Sequence, residues 1–299
     1  MRYNLPPIRS SIIPKKGIKG SSLGILFAWL FLKLKIYGRA CLNKTMLKSS
    51  RGSVLKKFAK DIGLPGKSLI LRNFPSVFIH RDLPILSMTL LELEFPHLKP
   101  KNISYIGPMV LENNTIDLEI PHALRTIVES KTTLNKKLIY CSITSMAETG
   151  DINFIEKVID AVKSEKNWIL IISLGGKINT NTFKNMPNNV HIFKWIPQLY
   201  LLTKTDCSIN HGGIHTINEC INNKVPMLIY SGKKYDQNGN AARIAYHGLG
   251  FMGDKDIDTP EVIRSKIKTI LNNDVILSKM KVIYDVHKKH DLKKISSYL

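Results

Sequence analysis

The strongest constraint on the fold is a regular alternation of short apolar runs and amphipathic segments in the second half of the sequence. Five apolar runs with the length of buried strands lie at 138–142, 168–173, 190–193, 207–209 and 225–230. Segments with apolar residues at helical spacing lie at 154–162, 214–221, 238–247 and 260–271. Strands that alternate with helices form βαβ units, so the sequence predicts an α/β fold with a doubly wound parallel sheet. Such sheets bind ligands beyond the carboxyl ends of their strands.

The first 125 residues lack this regularity, because Pro and Gly recur and the apolar stretches are short. An apolar run at 23–32 follows a basic stretch at 9–19, an order that resembles a signal peptide. The run is too short to span a bilayer as a helix, which takes about 20 residues. Lys33 and Lys35 also interrupt the region where a cleavage site would lie. We expect a buried or membrane-surface helix here, and a targeting signal is the alternative.

The chain is strongly basic, with 44 Lys and Arg against 23 Asp and Glu among 299 residues, a net charge of +21. Such a surface attracts polyanions, which include nucleic acids, anionic membranes and phosphate-bearing small molecules. No nucleic-acid recognition motif accompanies the charge, so nucleic acid is not an expected partner. The four cysteines are scattered without a CxxC pair, which argues against a disulfide framework or a zinc cluster and favours the cytoplasm.

A His-Gly-Gly turn stands where a strand-like run meets the next helix. Gly212 and Gly213 permit a tight turn and a close approach of the backbone to a ligand. The helix that follows offers unpaired N–H groups and the positive end of its dipole, which together favour an anion. His211 and the Thr216 hydroxyl can donate to the same oxygens. A diphosphate fits such a site.

Other polar and aromatic residues around this turn complete a nucleotide-sugar pattern. Glu219 lies three residues after Thr216, where its carboxylate can accept from two vicinal hydroxyls such as those of ribose. Trp195 offers a flat face for a base, and Asp236 with Gln237 offers partners for sugar hydroxyls. Each of these residues alone is more often structural. Their order along the chain favours a site for nucleoside, diphosphate and sugar.

Asp254, Asp256 and Asp258 alternate with a spacing that can hold a metal ion. Thr259-Pro260-Glu261 follows directly and has the composition of a helix start, with an N-cap, a proline and an acid in the first turn. We therefore expect a loop and a helix cap. Metal binding is the alternative.

Five separated motifs together resemble the donor signature of the family 1 UDP-glycosyltransferases, which are GT-B enzymes. They are Tyr140-Cys-Ser142-Ile-Thr-Ser145, Trp195-x-Pro-Gln198, His211-Gly-Gly-x-x-Thr216-x-x-Glu219, Val-Pro226 and Asp236-Gln237-x-x-Asn240-Ala241. The similarity covers roughly residues 105–271, and the motifs occur in the family's order. Two residues depart from the pattern. Thr144 stands where a glycine is usual, and His215 where Gly or Asn is usual.

The resemblance implies a role for each donor-site residue and requires neither a metal nor a cofactor beyond the UDP-sugar co-substrate. His211 and Ser142 would contact the diphosphate, and Glu219 the ribose. The remaining implied donor-binding residues are Ser145, Gly213 and Thr216 around the phosphates, Trp195 and Gln198 at the uracil, and Asp236 and Gln237 at the transferred sugar.

The resemblance also implies a GT-B-like architecture with a complete C-terminal Rossmann-like donor domain. We expect a partial N-terminal acceptor-side domain with linker at 1–125, the donor domain at 126–280, and a C-terminal helix at 281–299 that packs back on the N-terminal half. The family's catalytic base is a His after the first strand. The opening MRYNLPPIRSSIIPKK contains no such unit, so we expect an N-terminally truncated member and assign no base.

The expected activity is inverting transfer of a sugar from a UDP-sugar to a hydroxyl of a small or lipophilic acceptor. The alternative is a non-catalytic or partner-dependent chain that binds nucleotide-sugars. The expected location is the cytoplasm, with peripheral contact to the inner face of the membrane as a further hypothesis.

Overall fold

The computed structural model describes residues 5–66, 84–97, 103–108, 120–143, 150–176 and 178–289. The chain separates into two compact units. The first comprises Met1–Ser87 and Phe95–Tyr105, and the second comprises Met88–Glu94 and Ile106–Leu299.

The first unit contains two helices and a short parallel strand pair. Its elements are α1 (Ser22–Leu47), α2 (Arg51–Asp61), β1 (Ile85–Ser87) and β2 (Ile103–Tyr105). Ser21 caps α1, because its hydroxyl accepts from the backbone N–H of Gly24 at 3.1 Å. The helix predicted at 23–32 is thus confirmed, and it extends well beyond the apolar run.

The burial expected for this helix is wrong for most of its length. Only Ile25 and Trp29 of α1 are buried, whereas Phe27, Phe31 and Leu34 are about 70% exposed (67%, 70% and 72%). The physical reason is that the run is apolar all round, so packing on one side leaves the remaining apolar side chains outside. Among the helices in the described ranges, none combines the length and the apolarity that crossing a bilayer requires.

The second unit is built on a six-stranded parallel sheet. The strands are β3 (Lys137–Ser142), β4 (Trp168–Ser173), β5 (Val190–Phe193), β6 (Cys207–Asn210), β7 (Met227–Tyr230) and β8 (Gly250–Gly253). Their order across the sheet is β5-β4-β3-β6-β7-β8. The predicted α/β class and parallel sheet are confirmed. Five strands match the predicted runs closely, and β8 was not predicted.

Helices cover both faces of this sheet. They are α3 (His122–Thr133), α4 (Gly150–Val162), α5 (Gln198–Leu202), α6 (Ile214–Asn222), α7 (Gln237–His247), α8 (Pro260–Leu271) and α9 (Asp274–Lys288). Helices α4 and α8 bury their apolar sides in one core cluster. Helices α3, α5, α6 and α7 contribute to the other, together with most of the buried face of α9.

The unit boundaries differ from the expected domain boundaries at 125 and 281. Residue 125 lies inside α3, and residue 281 lies inside α9. Met280 and Ile283 of α9 join the same core cluster as α6, so this helix belongs to the core of the second unit up to that point. The packing expected for the remainder of 281–299 falls largely on residues outside the described ranges.

The sheet order creates a topological switch point between β3 and β6. The chain runs from β3 outward through β4 and β5, then returns to β6 and continues outward on the other side. Ser142, the last residue of β3, pairs in register with Asn210, the last residue of β6. The carboxyl ends of these two strands therefore lie side by side, which is where open parallel sheets bind their ligands.

Candidate functional site

The turn from β6 into α6 needs glycine at position 212, and the glycine at position 213 makes room for a side chain. Gly212 has a φ of +81°, and a Cβ there would lie 2.9 Å from Cγ2 of Ile229. A Cβ on Gly213 would lie 2.6 Å from Nε2 of His211, so the missing side chain leaves room for the imidazole. Asn210 holds the turn, since its Oδ1 accepts from the Gly212 N–H at 2.9 Å.

Two buried polar atoms at the switch point have no hydrogen-bond partner among the residues that the structure describes. They are Oγ of Ser142, at the end of β3, and Nδ1 of His211, just after β6. Buried polar atoms are nearly always paired, so two orphans at adjacent strand ends indicate room for a ligand. The neighbouring α6 has Gly213 as its N-cap residue, with no side-chain cap and no acidic residue in its first turn. Together these groups could bind an anion.

The electrostatics of His211 keep its imidazole neutral near pH 7. Burial lowers the pKa of His211, and Lys255 lowers it further, while Asp236 and Asp151 act in the opposite direction. Lys255 forms a salt bridge with Asp151 at 2.5 Å. Sequence reasoning missed this pair, because 104 residues separate its members and neither stands in a motif.

Asn240, in α7, links the start of this helix to the glycine turn by hydrogen bonds. The Asn240 side-chain amide donates to the Gly212 carbonyl at 3.0 Å and to Oδ2 of Asp236 at 2.9 Å. Gln237 is also held, since its Oε1 accepts from the Gly232 N–H at 3.0 Å. The structure therefore brings Asp236 to the same turn as His211.

Gln198 and Glu219, predicted for the nucleoside, are joined directly to each other. The Gln198 amide donates to Oε2 of Glu219, and its Oε1 accepts from the Tyr140 hydroxyl at 3.1 Å. Burial raises the pKa of Glu219, and the hydrogen bond from Gln198 opposes that rise. Tyr140 was not among the predicted site residues, because a tyrosine in the middle of an apolar strand has no sequence signal beyond that of a core residue.

The other predicted residues occupy less connected positions. Trp195 follows β5 and exposes 58% of its surface, so its indole face is open. Thr216 is buried in the first half of α6. Ser145, with the atypical Thr144 beside it, lies outside the described residues.

The three alternating aspartates do not converge on one point, since Oδ1 of Asp254 accepts from the Asp256 N–H at 2.9 Å and the other two carboxylates have different partners. Asp256 pairs with Lys233 at 2.6 Å, and Asp258 accepts from the Tyr230 hydroxyl at 2.8 Å. The predicted cap is present, because Oγ1 of Thr259 accepts from the Val262 N–H at 3.5 Å. Across the described ranges, no group of three or more acidic, His or Cys side chains is placed to hold a metal ion.

Comparison with known proteins finds relatives of one kind. Residues 157–283 match the family model described as the C-terminal domain of erythromycin biosynthesis protein CIII-like proteins. An uncharacterized UDP-glucosyltransferase, YdhE, of Bacillus subtilis is 30% identical over 149 residues, which are 50% of this chain and 37% of that protein. The oleandomycin glycosyltransferase of Streptomyces antibioticus is 29% identical over 115 residues, 38% of this chain and 26% of that protein.

A solved structure shows the same fold over most of the chain. The glycotransferase of kitacinnamycin superposes with a TM-score of 0.65 at 20% identity, and the match covers 86% of this chain and 64% of that one. The chain spans less than half the length of the curated relatives it matches. The resemblance to the family 1 UDP-glycosyltransferases is thus confirmed, and it is carried by residues 157–283, which match a C-terminal domain model.

Proposed function

We propose that the chain takes part in sugar transfer from a UDP-sugar to a hydroxyl of a small or lipophilic acceptor, with inversion at the anomeric carbon. The observation that carries this proposal is the pair of orphaned buried atoms, Oγ of Ser142 and Nδ1 of His211, beside the uncapped start of α6. A diphosphate supplies the acceptor oxygens that both groups lack.

The donor would lie across the carboxyl ends of the strands. The diphosphate accepts from Ser142, His211 and the first N–H groups of α6, with Gly213 keeping the approach open. The ribose hydroxyls donate to Glu219. The remaining proposed contacts are Ser145 and Thr216 near the phosphates, Trp195 and Gln198 at the uracil, and Asp236 and Gln237 at the transferred sugar.

In the proposed reaction the acceptor hydroxyl attacks the anomeric carbon as the bond to the diphosphate oxygen breaks. Negative charge then grows on the leaving UDP. Donors fixed in advance at that position stabilise the developing charge without reorganisation, which is the contribution of His211, Ser142 and the α6 N-terminus. Lys255 adds a nearby positive charge. We assign no residue to deprotonation of the acceptor.

Calorimetric titration of the chain with UDP, uridine and pyrophosphate tests the donor site. We expect UDP to bind at least tenfold more tightly than uridine, because charge-assisted hydrogen bonds contribute about 1.5–3 kcal/mol each. Saturable UDP binding that is lost in His211→Ala supports the site. Absence of saturable UDP binding by the folded wild-type chain would overturn it.

The alternative proposal is a nucleotide-sugar-binding chain that does not catalyse alone. Both proposals include the donor site. They differ in whether this chain alone transfers the sugar. Release of UDP from a UDP-sugar in the presence of acceptor alcohols supports catalysis by this chain. Tight UDP binding without such release, and release on adding a second, acceptor-binding chain, supports the partner-dependent form.

We further propose that α1 attaches the protein peripherally to the cytoplasmic, anionic face of a membrane. Residues 5–60 contain 13 Lys or Arg and no Asp or Glu, and α1 exposes Phe27, Phe31 and Leu34. Apolar side chains flanked by cations suit an anionic bilayer surface. The same charge on two copies disfavours self-association through this surface.

Vesicle co-sedimentation tests this attachment. We expect binding to vesicles that contain phosphatidylglycerol, weak binding to pure phosphatidylcholine, and loss of binding in Phe27→Glu/Phe31→Glu. The matched control is Val275→Glu/Leu277→Glu, which charges exposed apolar positions on α9. Equal binding by both double variants contradicts the proposal, as does a wild-type oligomer that only Phe27→Glu/Phe31→Glu dissociates.

A further inference from the structure

A chain of hydrogen bonds links the interior of the sheet to the carboxylate proposed for the ribose. It begins at Tyr140, which is 1% exposed in the middle of β3. The phenol donates to Oε1 of Gln198 at 3.1 Å, and the Gln198 amide nitrogen donates to Oε2 of Glu219. Three elements that are not consecutive in the chain, β3, α5 and α6, are therefore coupled through one side-chain amide.

The direction of this chain is set by the Glu219 carboxylate, and a protonated phenol at the other end is compatible with it. Burial raises the pKa of Tyr140, so the phenol keeps its proton at all ordinary pH values and remains a donor. A side-chain amide presents oxygen on one side and NH₂ on the other. Because an ionised carboxylate can only accept, the NH₂ points at Glu219, and the amide oxygen then faces the phenol.

The two carboxylate oxygens of Glu219 differ in their hydrogen bonding as a result. Oε2 is occupied by the Gln198 amide, whereas Oε1 has no hydrogen-bond donor among the residues that the structure describes. A carboxylate held by one oxygen has a fixed plane, and its other oxygen is available to a ligand hydroxyl. Without the phenol, the Gln198 amide could rotate and the carboxylate would lose this orientation.

We propose that Tyr140 is a positioning residue that, through Gln198, orients Glu219 to accept from the ribose 2′-hydroxyl and so makes the donor site select ribonucleotide over 2′-deoxyribonucleotide diphosphates. This inference rests on the donor site proposed above. The residue does not touch the nucleotide. Its effect is specific to one hydroxyl of the ligand, which a merely structural role would not produce.

The test compares UDP with 2′-deoxy-UDP by calorimetry in wild type and Tyr140→Phe. We expect wild type to favour UDP by roughly 10- to 100-fold, the range of a hydrogen bond to a charged group. In Tyr140→Phe the preference should fall to about threefold or less, chiefly through weaker UDP binding. The control is Tyr230→Phe. It removes a second buried phenol, whose partner is the carboxylate of Asp258, and it should leave the preference for UDP unchanged.

A second variant keeps the test decisive if Tyr140→Phe loses stability. Gln198 is only half-buried, so Gln198→Leu interrupts the same chain without cutting into the core. We expect the same loss of preference in Gln198→Leu, and no further loss in the double variant, because both substitutions act through one path. An unchanged UDP to 2′-deoxy-UDP ratio in either single variant overturns the inference. Failure of wild type to bind UDP at all would instead overturn the donor site itself.

Discussion

The two ends of the proposed donor site differ in how their polar groups are satisfied within the protein itself. At the nucleoside end, Tyr140, Gln198 and Glu219 are linked by protein hydrogen bonds. At the phosphate end, Ser142 and His211 each hold a buried polar atom without a partner among the described residues. One end is already organised by the fold, and the other, under the proposed function, is completed by the diphosphate.

Because the two ends differ in this way, substitutions at one end should change ligand affinity alone, and substitutions at the other should also change the stability of the protein. A buried polar atom without a partner costs free energy in the empty protein, and that cost is recovered when an anion binds. Substitutions at the phosphate end should therefore weaken ligand binding and leave the empty protein as stable as before. Substitutions in a satisfied network should lower stability as well, because they leave a former partner unpaired.

The largest expected effect comes from His211→Ala. We expect UDP affinity to fall by roughly 10- to 100-fold, the value of a hydrogen bond to a charged group. The thermal midpoint of the empty protein at pH 7.5 should not fall, since no protein hydrogen bond to Nδ1 is lost. His191→Ala, at a half-buried histidine on β5, is the control and should leave UDP affinity unchanged. A large drop in the midpoint of His211→Ala would contradict the comparison.

Gly213→Ala should have the next largest effect. The new Cβ would lie 2.6 Å from Nε2 of His211, so the imidazole must move from its place over the turn. We expect UDP affinity to fall about tenfold, because one charge-assisted hydrogen bond is lost or misaligned. Gly66→Ala is the control, since a Cβ there meets nothing within 4 Å. Wild-type affinity in Gly213→Ala would mean that His211 does not contact the ligand from this position.

Two buried serines on adjacent strands, Ser142 and Ser208, allow a hydroxyl without a partner to be compared with one that is hydrogen-bonded. Ser142→Ala removes an orphaned hydroxyl, so we expect a roughly 2- to 10-fold loss of UDP affinity and no loss of stability. Ser208→Ala removes the acceptor of the Asn210 amide and should lower stability by about 1–3 kcal/mol. Urea unfolding of both variants measures the contrast. Equal destabilisation would show that the Ser142 hydroxyl has a partner in the empty protein.

The smallest effect is a pH dependence of stability. The pKa of His211 is lowered in the folded protein, so the unfolded chain binds this proton more readily. The stability that His211 contributes is therefore present above the unfolded pKa of about 6.5 and lost as the pH falls through the lower folded value. Between pH 7.5 and 5.5, wild type should lose more stability than His211→Ala. Saturating UDP should reverse the difference, because a bound diphosphate favours the imidazolium.

The sequence predicted the sheet well because buried parallel strands are continuous apolar runs with helices between them. It failed at β8, which begins and ends with glycine and has only two apolar residues between. A Cβ on Gly250 would lie 1.8 Å from the carbonyl oxygen of Met227, so this strand needs glycine where β7 passes. A glycine that is required by a neighbouring strand leaves no pattern in the sequence around it. The roles of Lys255, Asp151 and Tyr140 were not predicted for the same reason, because their partners lie far away in the chain.

The sequence by itself determined the alternation of five of the strands with four of the helices, the glycine turn at His211 and the residue types at the switch point. These features are local, since they depend on periodicity, turn geometry and helix ends. Only the tertiary structure decided which polar atoms are satisfied. Whether Oγ of Ser142 is orphaned and Glu219 is held depends on side chains from distant elements meeting at the carboxyl ends of the sheet, and burial then gives those contacts their energetic weight.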